Sequence, residues 1–264
     1  MFRVSCIQLR SNNNIHDNLK KTQKLIIKAV NQKTDLILTP EVSSLFSLNK
    51  KNLLKISTSM KDDIYLNGVR KLAKKYSKWI LIGSLIIKIK EKLVNRSVLI
   101  DGNGKIKSYY DKIHMYDVIL SKRERYFESK TFTPGKKIKL YKLPWGKLGF
   151  SICYDLRFPN LYRKLSKNGC SFLSIPSAFT ETTGKRHWHS LLKARAIENF
   201  CYVFAPAQAG KHYKGRVTYG HTMIISPDGK ILKKLKKSEG VITSLIDEKL
   251  PKRLRSIIPS LKGD

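Results

Sequence analysis

The sequence predicts an α+β layered sandwich, with two sheets covered by helices. Three observations carry this expectation. Strand-like and helix-like segments alternate along all 264 residues. Hairpins interrupt the alternation, notably a meander from Trp79 to Tyr110 and a pair around Pro227-Asp228-Gly229, so parallel crossovers alone do not build the sheets. No linker, repeat or low-complexity block divides the chain, which reads as one domain over residues 1–264. A chain of that length buries about three quarters of its unfolded surface.

Val4–Leu9 reads as the first strand. Leu19, Ile26, Ile27 and Val30 recur at mostly helical spacing, making Asp17–Val30 an amphipathic helix. Asp35–Leu38 is short and nearly all apolar, as in a buried strand, and it delivers Thr39-Pro40-Glu41. Asp62–Tyr76 is a second helix. Trp79–Ile89 and Leu93–Ile100 are apolar strands. A turn at Asp101–Gly104 leads to a strand over Ile106–Tyr110, and Lys112 sits where that strand gives way to a loop. Glu128 precedes a turn at Phe132-Thr133-Pro134-Gly135. Ile138–Leu143 and Lys147–Ile152 pair around Pro144-Trp145-Gly146, and the second runs into Cys153. A helix over Leu161–Lys167 ends at Gly169. The strand Ser171–Ile175 delivers Pro176-Ser177-Ala178-Phe179. His187–Asn199 is a helix burying Leu191, Leu192, Ala194 and Ile197. Cys201–Ala205 is a strand, Tyr219–Ser226 and Lys230–Leu235 form a hairpin, and Val241–Ile246 is the last strand.

Lys+Arg 53 against Asp+Glu 19 gives a net charge of +34. Such a charge attracts polyanions non-specifically. The basic residues are nevertheless spread over the whole chain, and no aromatic platform interleaves with the densest cluster, Lys233-Lys234-Leu235-Lys236-Lys237. No specific nucleic-acid partner is therefore expected, and a non-enzymatic basic binder is the competing class. Cys6, Cys153, Cys170 and Cys201 form no Cys-x-x-Cys pair. This argues against a zinc site or disulfide scaffold and for a reducing, cytoplasmic compartment. The N-terminus enters strand-like residues directly, as a chain without a signal peptide does, and no apolar run is long enough for a bilayer.

Cys153 falls at a predicted strand-to-helix turn ahead of Pro159. Free backbone N–H groups and a helix N-terminus favour thiolate there, which makes Cys153 a candidate nucleophile. The alternative is one more buried cysteine. Glu41 ends a buried strand. Burial is expected to raise its pKa, as suits a general base, whereas the alternative is an ordinary helix-start Glu after Pro40. Lys112, taken alone in so lysine-rich a chain, reads as a surface residue.

Pro40-Glu41, Asp111-Lys112-Ile113-His114 and Ile152-Cys153-Tyr154-Asp155-Leu156-Arg157-Phe158-Pro159 resemble the Glu, Lys and Cys signatures of the nitrilase superfamily of carbon–nitrogen hydrolases. The resemblance runs nearly full length and takes in Phe132–Gly135, His187-Trp188-His189, Arg195–Asn199 and Tyr219-Gly220-His221. It implies a four-layer αββα sandwich and a thiol amidase needing no metal or organic cofactor. In that mechanism Cys153 attacks an amide carbonyl, while Glu41 takes its proton and later activates water. Lys112, with the backbone N–H after Cys153, stabilises the oxyanion, and Glu128 positions Lys112. Pro176–Phe179 and Ala207–His212 are similar to the Nit branch, which implies a small acidic amide as substrate. Tyr154, Phe179, Arg186 and Arg216 are the expected substrate-binding residues, and Arg157 is expected to pair with Asp155. The same triad also serves ω-amidases and N-carbamoyl amino acid hydrolases. The resemblance further implies a homodimer or higher homo-oligomer, pairing through the helix after Cys153 and the one at His187–Asn199.

Overall fold

Central strands that are apolar on both faces need cover on both sides, and this chain supplies it with two sheets and two pairs of helices. The computed structural model describes residues 1–47, 49–122 and 124–263. The first half runs β1 (Phe2–Gln8), α1 (Ile15–Asn31), β2 (Leu36–Leu38), α2 (Lys50–Ile56), α3 (Ile64–Tyr76), β3 (Trp79–Ile89), β4 (Lys92–Ile100) and β5 (Ile106–Asp111). A small hairpin, β6 (Asp117–Ile119) and β7 (Arg125–Phe127), leads into the second half. That half runs β8 (Leu140–Leu143), β9 (Gly146–Phe150), α4 (Pro159–Lys167), β10 (Cys170–Ser174), α5 (Glu181–Asn199), β11 (Tyr202–Ala205), β12 (Ala209–Lys211), β13 (Val217–Tyr219), β14 (Met223–Ile225), β15 (Ile231–Lys234), β16 (Gly240–Ile246) and α6 (Leu250–Ile257).

One six-stranded sheet has the order β16-β1-β2-β3-β4-β5 and the other β15-β14-β11-β10-β9-β8. The expected meander is there, because β3, β4 and β5 pair antiparallel, while β1, β2 and β3 are parallel. Period-two alternation sorts each strand between two cores. Val4, Cys6, Leu36, Leu38 and Leu81 meet Phe150, Phe172 and Phe204 between the sheets. Ile7, Ile37 and Ile80 face the other way, against Ile26 and Ala29 of α1 and Tyr65 and Val69 of α3. Leu161 and Leu165 of α4 and Trp188, Leu192 and Ala196 of α5 cover the second sheet. Each Leu, Ile, Val or Phe among them contributes about 1.5–3 kcal/mol by leaving water. The result is the four-layer αββα sandwich. Among the described residues, no helix is long and apolar enough to cross a membrane.

The structure departs from the sequence expectations in several places. Helix α5 begins at Glu181, six residues before the expected His187, because Thr180 caps it by accepting the Thr183 N–H. Its polar first turns hide that start from hydrophobic periodicity. Its buried face carries Trp188 and Leu192, while Ile197, expected inside, is 47% exposed. The single strand expected over Tyr219–Ser226 breaks in two, because Gly220 and His221 both take positive φ, +73° and +58°. Helices α2 and α6 have no counterpart among the sequence expectations.

Candidate active site

Three strand ends of the two facing sheets deliver Glu41, Lys112 and Cys153 to one place. The Glu41 segment is fixed by a bulge in β3, where the register slips between Ile82 and Leu85. Ser84 in that bulge accepts the Val42 N–H at 2.8 Å and donates its own N–H to Pro40 at 3.1 Å. Only glycine fits at position 83, since a Cβ there would lie 1.8 Å from the Thr39 carbonyl oxygen and 2.4 Å from Pro176 Cβ. That close approach brings the end of β2 against the loop after β10.

Cys153 follows β9 with φ +49°, a left-handed conformation that costs a non-glycine residue about 1 kcal/mol or more. Its N–H donates to the Pro176 carbonyl at 2.9 Å. Buried Asp155 holds the turn. Its carboxylate accepts from the Ile152 N–H at 2.9 Å, the Tyr110 hydroxyl at 2.7 Å and the His114 N–H at 3.0 Å, with His114 Nδ1 at 2.6 Å. The Cys153 turn is thereby fastened to the segment that carries Lys112. Arg157 is not the partner of Asp155 that the sequence suggested. It points the other way, to His187 Nδ1 at 3.2 Å, because Tyr110 and His114 already fill the acceptor positions of Asp155.

Lys112 is 2% exposed and its ammonium donates to Glu41 at 3.0 Å and to both oxygens of Glu128 at 3.0 and 2.8 Å. Asn95 Nδ2 bridges the same two carboxylates, at 3.0 Å from Glu41 and 3.4 Å from Glu128. The Tyr116 N–H adds a 2.6 Å hydrogen bond to Glu128, and the Ala178 N–H a 2.8 Å one to the second oxygen of Glu41. Burial pulls the Lys112 pKa down, but Glu128 and Glu41 outweigh it and hold the ammonium well above its ordinary value.

Two expected pKa directions are corrected here. Burial does push the Glu41 carboxyl up, yet the Lys112 charge, hydrogen bonds from Cys153 and Lys112, and the Arg216 charge together leave it below its ordinary value. The Cys153 thiol is raised well above its ordinary value by burial and then by Glu41, against the opposing pull of Lys112 and a backbone hydrogen bond from Ala178. The resting site is therefore carboxylate, ammonium and thiol.

Glu41, Lys112, Glu128 and Cys153 line one cavity of about 220 Å³. The structure also brings Tyr154, Phe179 and Arg216 to its wall. It does not bring Arg186, which is exposed on α5 and outside the lining residues, because the helix starts early enough to include it. Sequence reasoning missed Asn95, Tyr116 and Arg125, which line the cavity. Asn95 did leave a signal, as a polar residue within the apolar run of β4 that is only 2% exposed. Arg125 left none, because the strands of the β6–β7 hairpin are only three residues each and too short to register. Among the described residues, no group of three or more His, Cys, Asp or Glu side chains could hold a metal ion.

Chemically, the arrangement offers a thiol against a carboxylate that can take its proton. Beside them is a permanent cation for the negative charge that develops on an attacked carbonyl oxygen. Comparison with known proteins agrees with that chemistry. Residues 3–255 match the Carbon-nitrogen hydrolase family. The chain is 38% identical over 263 residues to a deaminated glutathione amidase of Yersinia enterocolitica, covering 98% of this chain and 91% of that one. The NitFhit protein of Caenorhabditis elegans superimposes with a TM-score of 0.93 at 34% identity, over 100% of this chain and 65% of that longer one. Saccharomyces cerevisiae Nit3, a member of branch 10 of the nitrilase superfamily, gives a TM-score of 0.86 at 27% identity over 98% of this chain and 94% of that one. The chain therefore belongs to the carbon–nitrogen hydrolase family, enzymes that cleave carbon–nitrogen bonds other than peptide bonds.

Proposed function

We propose that this member of the family is an amidase for a small acidic amide, of the deaminated glutathione kind, with the whole chain serving as one catalytic domain. The observation that carries this reading is the Lys112 ammonium held between Glu41 and Glu128 in the cavity that contains Cys153. Substrate binds with its amide carbonyl over Lys112. The Cys153 sulfur attacks the carbonyl carbon and its proton passes to Glu41. The carbonyl oxygen becomes an oxyanion, stabilised by Lys112 and the Tyr154 N–H. Collapse of the tetrahedral intermediate breaks the C–N bond, and Glu41 returns its proton to the leaving amine. Glu41 then takes a proton from water, whose oxygen attacks the thioester carbon and frees the acid and the thiol. Glu128 positions Lys112 throughout, while Tyr154 and Phe179 shape the wall.

Two features support the order of these steps. The resting thiol is protonated, so the nucleophile is made only in contact with substrate. Glu41 is ionised at rest and so is ready to accept the proton. Purified protein should release amine or ammonia from deaminated glutathione faster than from α-ketoglutaramate or an N-carbamoyl amino acid. A faster reaction with either of the other two would move the assignment to an ω-amidase or a carbamoylase on the same residues. We further propose a homodimer formed through α4 and α5. Light scattering at micromolar protein should give twice the monomer mass. Association should strengthen as salt screens the repulsion between two chains of charge +34.

A further inference from the structure

The floor of the cavity repels the substrate class just proposed. Glu41 and Glu128 share one ammonium, so with a neutral Cys153 the floor carries two negative charges against one positive. An acidic amide must therefore keep its carboxylates away from the floor, on other cations.

Among the described residues, the cavity wall has two, Arg216 and Arg125. Among the described residues, neither forms an ion pair with a carboxylate. They differ in depth. Arg216 is half-buried just before β13, with Nη2 donating to the Ala178 carbonyl at 3.1 Å. Its Nε is buried without a hydrogen-bond partner. Its guanidinium lies 4.8 Å from the Tyr126 ring and 5.4 Å from the Phe46 ring, a setting that holds the planar fork at a fixed angle. The N–H of the same Ala178 is bonded to Glu41, so Arg216 stands next to the reacting centre. Arg125, by contrast, is exposed on β7, at the mouth.

The reaction treats the two halves of an amide differently. The acyl half stays on Cys153 as a thioester until water arrives, so it occupies the enclosed part of the cavity. The amine half leaves after the first step and must lie toward the mouth. Depth thus assigns each cation to one half. Resting on the amidase reading above, we propose that the two arginines divide a substrate with two carboxylates. Arg216 binds the carboxylate of the acyl half through both chemical steps, and Arg125 binds the carboxylate of the amine half and releases it with the amine. The substrate class is an amide joining a dicarboxylic acid to an amino acid or short peptide. A small ω-amide that yields ammonia uses Arg216 alone.

Four amides test this, with the acyl half acidic or neutral and the amine half acidic or neutral, each assayed for kcat/KM. Wild type should prefer a carboxylate on either half. Arg216→Met should shrink the acyl-half preference by about 10–100-fold, the loss of a charge-assisted pair in a partly buried setting, and leave the amine-half preference in place. Arg125→Met should shrink only the amine-half preference, by about fivefold at most, because an exposed pair is weak. If Arg216→Met lowers thermal stability so far that turnover is lost, Arg216→Lys replaces it. That variant keeps the charge without the fork and should shrink the same preference less. Both variants acting on the same half, or neither acting on its own half, overturns the division. Wild-type protein that hydrolyses none of the four overturns the amidase reading itself, which separates the two failures.

Discussion

Two buried cysteines in this molecule sit beside a cation, and they differ in what else is near. Cys153 faces a cavity, with Glu41 and Lys112 against it. Cys201, just before β11, is fully buried, takes a hydrogen bond from Arg255 at 3.0 Å and donates to the Cys170 carbonyl at 3.2 Å. Burial raises the Cys201 thiol, but Cys170 and Arg255 outweigh it and leave the thiol below its ordinary value, whereas Cys153 lies well above. The thiol shifted down is thus the one outside the lining of the substrate-sized cavity, with its hydrogen on a backbone carbonyl. On the proposed mechanism, acidity at rest does not mark the nucleophile, whereas space for a substrate and a carboxylate within reach of the proton do.

The comparison breaks or holds on measurements of turnover, alkylation and stability. Cys153→Ala should lose about 10⁴-fold or more in turnover, while Cys201→Ala should stay within about threefold of wild type. Comparable losses in both would end the distinction. Lys112→Met should lose about 10²–10³-fold in kcat, the scale of an oxyanion donor, whereas Arg255→Met should leave kcat in place although it too removes a cation beside a thiol.

Glu41→Gln gives the sharpest contrast. Removing the negative charge that raises the Cys153 thiol should speed its alkylation by iodoacetamide at neutral pH, while amide turnover collapses. Alkylation and turnover falling together would mean that Glu41 is needed to ionise the thiol even without substrate. In wild type the same raised pKa predicts alkylation that climbs with pH through 9.0 without a plateau. At the acid end, the lowered Glu41 value has a definite sign. A carboxyl lower in the folded than the unfolded state stabilises fully above the unfolded value and loses that contribution as pH falls through the folded one. The acid limb of kcat/KM should therefore lie below pH 4.5. The smallest effect is on stability, where Cys201→Ala should cost about 1–2 kcal/mol in denaturant unfolding, from lost packing and an Arg255 deprived of one acceptor.

The fold was legible wherever hydrophobic period and turn chemistry agreed, as in the β3–β4–β5 meander and in the strand ends that deliver Glu41, Lys112 and Cys153. The resemblance to the carbon–nitrogen hydrolases singled out those three residues, since Lys112 alone reads as a surface lysine and Glu41 and Cys153 each left an alternative open. It did not reveal the state they rest in, because the sign of each pKa is set by a contest between burial and neighbours brought from far along the chain. Glu41 illustrates this, since its burial was readable and the Lys112 contact that reverses its effect was not. Arg186 and Arg216 looked equivalent in sequence, and only the early start of α5 carries Arg186 away from the cavity. Asn95 showed as a polar residue in a largely apolar strand, but nothing in the sequence said that it meets Glu41 and Glu128.

The bonds around Glu41 also constrain when the enzyme becomes competent during folding. Glu41 meets Lys112 across 71 positions and Ala178 across 137, and the loop after β1 is tied to Gln208 across 197. No local fragment contains the cluster, and contacts of such long separation close late, after most of the chain's entropy has been lost. On the ribosome, Cys153 is synthesised well before the segment bearing Arg216. A nascent or half-folded chain thus carries an ordinary cysteine, with no amidase activity until both sheets have docked. In a refolding experiment, turnover should appear in the slowest phase, after helical signal has recovered.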